Sequence, residues 1–253
     1  MDKKNIVIVG YPKSGTTWLS RLVSELVSCP LQGDWGFESL NAPYKEGLQR
    51  VSNYNVFKSH HTFNEVEKAS ELPIYKIIYI IRDPRDVVVS GINFFKFYPK
   101  FIANNYLFKK FSFIKKVSSK FVSEKEKKQQ MIQAVLSGNK SISQWFVQSW
   151  KTHYEEYLNK DILFISYENL VKFPEKESLK IMNYLTVEVS KKHIQNSISN
   201  QSLLHRKKTA IHIKDEFQKK IIRKGTFGDW ENEFSDDEKC IFKKNLTSPF
   251  YNF

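Results

Sequence analysis

A short apolar run, Ile6-Val7-Ile8-Val9, stops at Gly10 and passes through Gly10-Tyr11-Pro12-Lys13-Ser14-Gly15-Thr16-Thr17-Trp18 into Leu19, Leu22, Val23, Leu26 and Val27. The run reads as a buried strand, and the three-and-four spacing after the loop reads as a helix with one apolar stripe against a sheet. Strand, glycine turn and helix start in this order constrain the chain more than any other feature. The unpaired amides of the first helical turn and the positive end of the helix dipole converge on one point, which makes an anion cradle. A nucleoside-triphosphate loop needs Lys followed by Ser or Thr directly after its second glycine. Here Thr16 and Thr17 fill those places and Lys13 precedes Gly15. No acidic strand end is evident to hold magnesium. A single phosphate therefore suits the loop better than a triphosphate, with Lys13 on its outer limb, in reach of the oxygen that bridges a cradled phosphate and a group leaving from it.

Three further runs, Asn55–Lys58, Tyr75–Ile81 and Ile162–Ser166, are rich in β-branched and aromatic residues and end at polar turns. With Asn5–Val9 they predict an α/β chain: a three-layer, P-loop-like fold whose central parallel sheet of about four to five strands is flanked by helices. A length of 253 residues suffices for one substantial core. We therefore expect one domain over 1–253, with a helical and loop insertion at about 94–140 lying over the acceptor side of the site. In such folds ligands meet residues just past the strand ends, which singles out Arg82, a guanidinium fork suited to phosphate. Its competing role is to pair with Asp83 or Asp86 and cap the next helix.

Forty Lys and Arg against twenty-seven acids give a net charge of +13, which favours anionic ligands in general. Compositional abundance of Lys explains the same charge, so it selects no ligand by itself. Cys29 and Cys240 are the only cysteines and have no paired spacing. No run approaches the roughly 18 apolar residues of a membrane span, and the N-terminal apolar run is too short for a signal peptide. The expectation is a cytoplasmic protein without membrane insertion.

The string Tyr11–Trp18 closely resembles the 5'-phosphosulfate loop of the cytosolic sulfotransferases. Ile81-Arg82-Asp83-Pro84-Arg85-Asp86-Val87-Val88-Val89-Ser90 resembles that family's 3'-phosphate segment, and Arg223-Lys224-Gly225-Thr226-Phe227-Gly228-Asp229-Trp230 its C-terminal signature. The three occur in the family's order from residue 11 to residue 230. The resemblance implies a donor, 3'-phosphoadenosine 5'-phosphosulfate (PAPS), and a product, 3'-phosphoadenosine 5'-phosphate (PAP). It implies that Lys13, Ser14, Gly15, Thr16 and Thr17 hold the 5' side, and that Arg82, Ser90, Arg223, Lys224 and Gly225 hold the 3'-phosphate. Trp18 would stack on the base, with Tyr167 near it. Lys58-Ser59-His60-His61 resembles the family's Lys-Thr-His segment, which makes His60 the catalytic base, with His61 as the competing candidate. Lys13 and Lys58 would then stabilise charge on the sulfuryl and leaving oxygens, Ser90 would position Lys13, and no metal would be needed.

The chain departs from the animal pattern at several points. Their Lys-rich dimer motif is not reproduced after Trp230, so the oligomeric state stays open. Ser202-Leu203-Leu204-His205 lacks the Phe that stacks on adenine, and His61-Thr62 replaces Leu-Pro after the histidine. These departures suggest a bacterial-type member with its own acceptor pocket. The expected acceptor is a small molecule with a hydroxyl or amine. The alternatives are a glycan acceptor and, from another class, a basic nucleic-acid-binding module built on the Lys and aromatic residues of 94–121.

Overall fold

The computed structural model describes residues 3–37, 45–99, 122–212 and 225–246. Among them the chain divides into two compact units, Met1–Arg82 with His153–Phe227, and Asp83–Thr152 with Gly228–Phe253.

The first unit is built on five strands: β1 (Lys4–Val9), β2 (Leu31–Asp34), β3 (Tyr54–Ser59), β4 (Ile74–Ile81) and β5 (Leu163–Ser166). All pairings are parallel and the order is β2-β3-β1-β4-β5. The four strands expected from sequence lie within one residue of their observed ends, and β2 is the addition. It escapes a pattern search because Leu31-Gln32-Gly33-Asp34 has a single large apolar residue and a glycine at φ 101°. The chain leaves β1 toward β2 and leaves β4 toward β5 on the opposite side. Adjacent strands whose connections part in this way open a crevice at their carboxyl ends. The phosphate loop follows one of them and Arg82 the other.

Strand alternation sorts the side chains into two faces. Ile6, Ile8, Val56, Ile78, Ile80 and Ile165 meet Leu19, Leu22, Val23 and Leu26 of α1 (Thr16–Leu26) in one buried cluster. Among the described residues of this unit, β5 is followed by α6 (Tyr167–Lys172), α7 (Pro174–Leu185), α8 (Lys191–Asn200) and α9 (Leu203–His212). Ile181, Met182 and Leu185 of α7 and Ile194 of α8 complete the cluster. On the opposite face Tyr79 packs on Tyr157 at 4.9 Å and on Phe164 at 5.4 Å between ring centroids. Tyr157 belongs to α5 (Trp150–Leu158). A short α2 (Phe63–Val66), closed by a Thr62–Glu65 capping box, follows β3. No helix among the described residues is long and apolar enough to cross a membrane.

The second unit is helical: α3 (Pro84–Ile92), α4 (Glu124–Ser137), α10 (Trp230–Glu233) and α11 (Asp236–Asn245). Asp83 caps α3 by accepting from the Arg85 amide at 2.8 Å, with Pro84 pre-set in the first turn. Asp83 also pairs with Arg85. Asp86 accepts the amides of Gly228 (2.7 Å) and Trp230 (3.3 Å), and the Arg85 guanidinium lies 3.4 Å from the Trp230 ring centroid. The C-terminal signature is thus tied to the Arg82–Ser90 string through Asp86 and Arg85, residues whose types and spacing suggest no such role. Of the expected insertion at 94–140, residues 124–137 are helical, as α4, and 100–121 lie outside the described residues.

Candidate active site

The parallel ladder between β1 and β3 runs out at Val9 and Ser59, and the residues just beyond it set the geometry of the site. The Gly10 amide still donates to the Ser59 carbonyl at 3.3 Å. The Gly10 carbonyl, which a further strand residue would have bonded, instead faces Nδ1 of His60 at 2.7 Å. A carbonyl can only accept, so Nδ1 carries the proton and the lone pair of the neutral ring sits on Nε2. Burial, and then the nearby charge of Lys58, push the His60 pKa down to about 3, so the ring is neutral at neutral pH. His61 turns elsewhere: its ring stacks on Phe37 at 6.5 Å, and its Nδ1 lies 3.8 Å from Glu65.

Beyond Gly10 the loop turns through left-handed backbone at Lys13 (φ 71°) and Gly15 (φ 99°), the conformation that bends successive amides around an anion. Only glycine fits at 15, because a Cβ there would sit 2.7 Å from the Tyr167 ring. Gly15 offers no side-chain cap to α1, and the first turn of that helix has no acid. Its opening amides are therefore left to water or to a ligand. Ser14 is fully buried, yet its Oγ has no hydrogen-bond partner among the described residues. A buried unsatisfied hydroxyl in a loop of converging amides fits a phosphate oxygen at that point.

Arg82 binds the loop to the distant chain end. Its two terminal nitrogens donate to the carbonyls of Lys13 and Thr226, each at 3.1 Å. Its Nε is buried and unpartnered among the described residues, and its guanidinium lies 4.2 Å from the Tyr167 ring centroid. Tyr167 starts α6 and lies under the loop, with the Trp18 ring edge-on at 5.7 Å. Trp18 is oriented by its indole N–H, which donates to the Gln201 carbonyl at 3.1 Å. Gly225 (φ 69°) comes close to Leu203 at the start of α9, where a Cβ would lie 3.0 Å from the Leu203 side chain. Arg223 and Lys224 lie outside the described residues. Ser90 lies on α3 of the second unit.

Two groups that no motif announces join the site, one holding Lys58 and the other the backbone of His60. Asp34, at the end of β2, holds Lys58 Nζ at 2.8 Å. Burial lowers the Lys58 pKa, and the Asp34 charge works against that. His153 is fully buried, with its Nε2–H donating to the His60 carbonyl at 3.3 Å and its Nδ1 accepting from the Tyr79 hydroxyl at 2.9 Å. Burial pushes its pKa down to about 4. Both contacts join residues distant in sequence, and neither residue type is rare enough to be flagged by spacing.

The arrangement offers an anion loop, a cation at a strand end and a neutral histidine with a defined tautomer, the equipment for group transfer from a phosphate-anchored donor to an acceptor that must lose a proton. A family model described as the sulfotransferase domain matches residues 3–246. The chain is 27% identical to human sulfotransferase 2A1 over 95% of this chain and 82% of that protein. It is 28% identical to a 3-alpha-hydroxysteroid sulfotransferase of Cavia porcellus with the same two coverages. Among solved structures, mouse sulfotransferase SULT7A1 in complex with PAP superposes with a TM-score of 0.65 at 22% identity, covering 100% of this chain and 87% of that one. A retinol dehydratase in complex with androsterone and PAP gives 0.59 at 18%, covering 98% and 82%.

Proposed function

Because the chain belongs to the sulfotransferase domain family, we propose that it moves a sulfuryl group from PAPS to a hydroxyl or amine of a small-molecule acceptor. The observation that carries this reading is the junction of β1 and β3, where the first residue of the anion loop holds the histidine ring through its carbonyl. When bound, the donor supplies a sulfuryl group on a phosphate bridge and leaves as PAP. The α1 amides and Ser14 Oγ receive the phosphate next to the bridge. Lys13 and Lys58 stabilise charge on the sulfuryl and leaving oxygens. His60 Nε2 takes the acceptor proton as the new bond to sulfur forms. The buried Arg82 Nε, with Ser90, Arg223, Lys224 and Gly225, is assigned to the 3'-phosphate, and Trp18 and Tyr167 to the base. Lys13 and the amides fill the electrostatic role that magnesium has in kinases.

Calorimetric titration with PAP in EDTA, with ATP as comparator, tests the donor half. Tight binding of PAP and none of ATP is the expected outcome; preference for ATP with magnesium would return the loop to phosphoryl transfer. His60→Ala is expected to cut PAP release from PAPS, in the presence of a panel of phenols, alcohols and amines, by about 100-fold or more. PAP affinity should stay within about threefold, since the ring is assigned to the proton and not to the nucleotide. Parallel loss of binding and turnover would remove His60 as the base.

A further inference from the structure

We infer that Asp34 is a positioning residue for the transfer: its carboxylate keeps Lys58 an ammonium and fixes where it points, which makes the edge strand β2 part of the active site. What Lys58 does in the reaction rests on the proposed function; how it is held rests on the geometry. Asp34 and Lys58 are directly opposed in the parallel register of β2 and β3, and the Trp35 amide locks that register by donating to the Lys58 carbonyl at 2.8 Å. Nζ and Oδ1 are 2.8 Å apart, with the Lys58 side chain 5% and the Asp34 side chain 16% exposed. Lys58 precedes His60 by two residues, the spacing that places side chains on one side of an extended chain.

An ammonium this deeply buried is costly to keep charged without a counter-ion. Among the described residues, Asp34 from β2 and Arg21 from α1 are charged groups that act on Lys58, and the neutral His60 ring is the titratable group beside it along its own chain. Burial is the largest influence against the charge and Arg21 adds to it, while Asp34 supports the charge both as an anion and as a hydrogen-bond acceptor. The consequence reaches His60, whose neutrality depends in part on the Lys58 charge. A lysine has three N–H donors on a flexible stem. Anchoring one of them on a carboxylate fixed by a strand sets the directions of the others before substrate arrives, the kind of preorganisation that electrostatic catalysis uses. The competing explanation is that the pair only ties β2 to β3.

The sign of the pH effect separates the two. Without Asp34, Lys58 loses its proton at lower pH, and activity that needs the ammonium falls earlier as pH rises. We would follow Lys58 ¹⁵Nζ by NMR in the full chain saturated with PAP, with Lys58→Arg assigning the signal. In wild type the signal is expected to be that of a charged ammonium at neutral pH, and a neutral amine there would overturn the inference. In Asp34→Asn the titration should move down by about 1–3 pH units. The alkaline limb of kcat, read as PAP released from PAPS with simple phenols, should move with it. At neutral pH kcat should fall about 10- to 100-fold with PAP affinity within about threefold, and Asp34→Glu should recover most of the loss. A lower melting temperature with an unchanged Lys58 titration and pH profile would make the pair merely structural. Should Asp34→Asn fail to fold, the wild-type titration and Asp34→Glu decide. Failure of wild type to bind PAP would sink the donor reading while the Lys58 titration still reports on the pair.

Discussion

His60 and His153 are both held neutral, and both are wired through backbone carbonyls: Gly10 accepts from the His60 ring, and the His60 carbonyl accepts from the His153 ring. Their depressed pKa values, about 3 and about 4, have a consequence for stability. Unfolded, each histidine binds its proton near pH 6.5. Between that value and the folded pKa the unfolded state binds more protons, so stability rises with pH. The contribution is fully present above about pH 6.5 and is lost as pH falls through the folded values. We expect the melting temperature to fall from pH 7 to pH 5, and to fall less steeply in His153→Gln, which removes one of the two titrating groups. An identical slope in the two proteins would exclude His153 as a source of acid sensitivity. The sequence named His60 by its place in a short string, but it could not name His153 or Asp34. Their partners are 93 and 74 positions away for His153, and 24 positions away for Asp34. The strand order brings Asp34 to Lys58, and the packing of α5 on the sheet brings His153 to His60 and Tyr79.

At the scale of an element, α1 shows how function and stability pull against each other. Its inner face is a buried stripe of Leu19, Leu22, Val23 and Leu26, and its stripe was legible because amphipathic spacing is a local property. Its N-terminus gives up stabilisation that an acidic first turn would provide, since none is present. Thr17, partly exposed in that turn, allows a test. Thr17→Asp is expected to leave the melting temperature unchanged or raise it, because a carboxylate there complements the helix dipole by about 0.3–1 kcal/mol. The same charge should repel a phosphate, and PAP affinity measured by calorimetry should fall by roughly 100-fold or more through like-charge repulsion in a partly desolvated site. Unaltered PAP binding would move the phosphate away from this helix. β2 illustrates the opposite case. Its four residues hold a polar aspartate and a left-handed glycine, and it is a strand only because β3 supplies a pairing edge. Tertiary context, which no local window contains, made the element that carries Asp34.

For the whole molecule, the four strongest strands and the family were readable because apolar runs and three spaced motifs each survive without long-range information. The clamp on the signature segment was not, since it depends on Arg82 and Asp86 meeting residues more than a hundred positions away. Arg82 joins the ends of the first unit's two chain segments, bonding the loop after β1 and the Thr226 carbonyl. A ligand held by that loop and by the 223–225 segment would therefore stabilise the fold beyond its local contacts. Binding to the folded state alone adds about 2.7 kcal/mol at 100 times Kd. For a chain of this size that is a rise in melting temperature of about 5–10 °C. We expect PAP at that saturation to give such a rise in EDTA, to lose part of it as salt screens the phosphate–cation contacts, and ATP to give little. The loss with salt follows because the ligand is multiply charged and the chain carries a net +13. A rise that appears only when magnesium is restored would show that a metal completes the site, and the assignment of Lys13 and the α1 amides to that electrostatic role would fall with it.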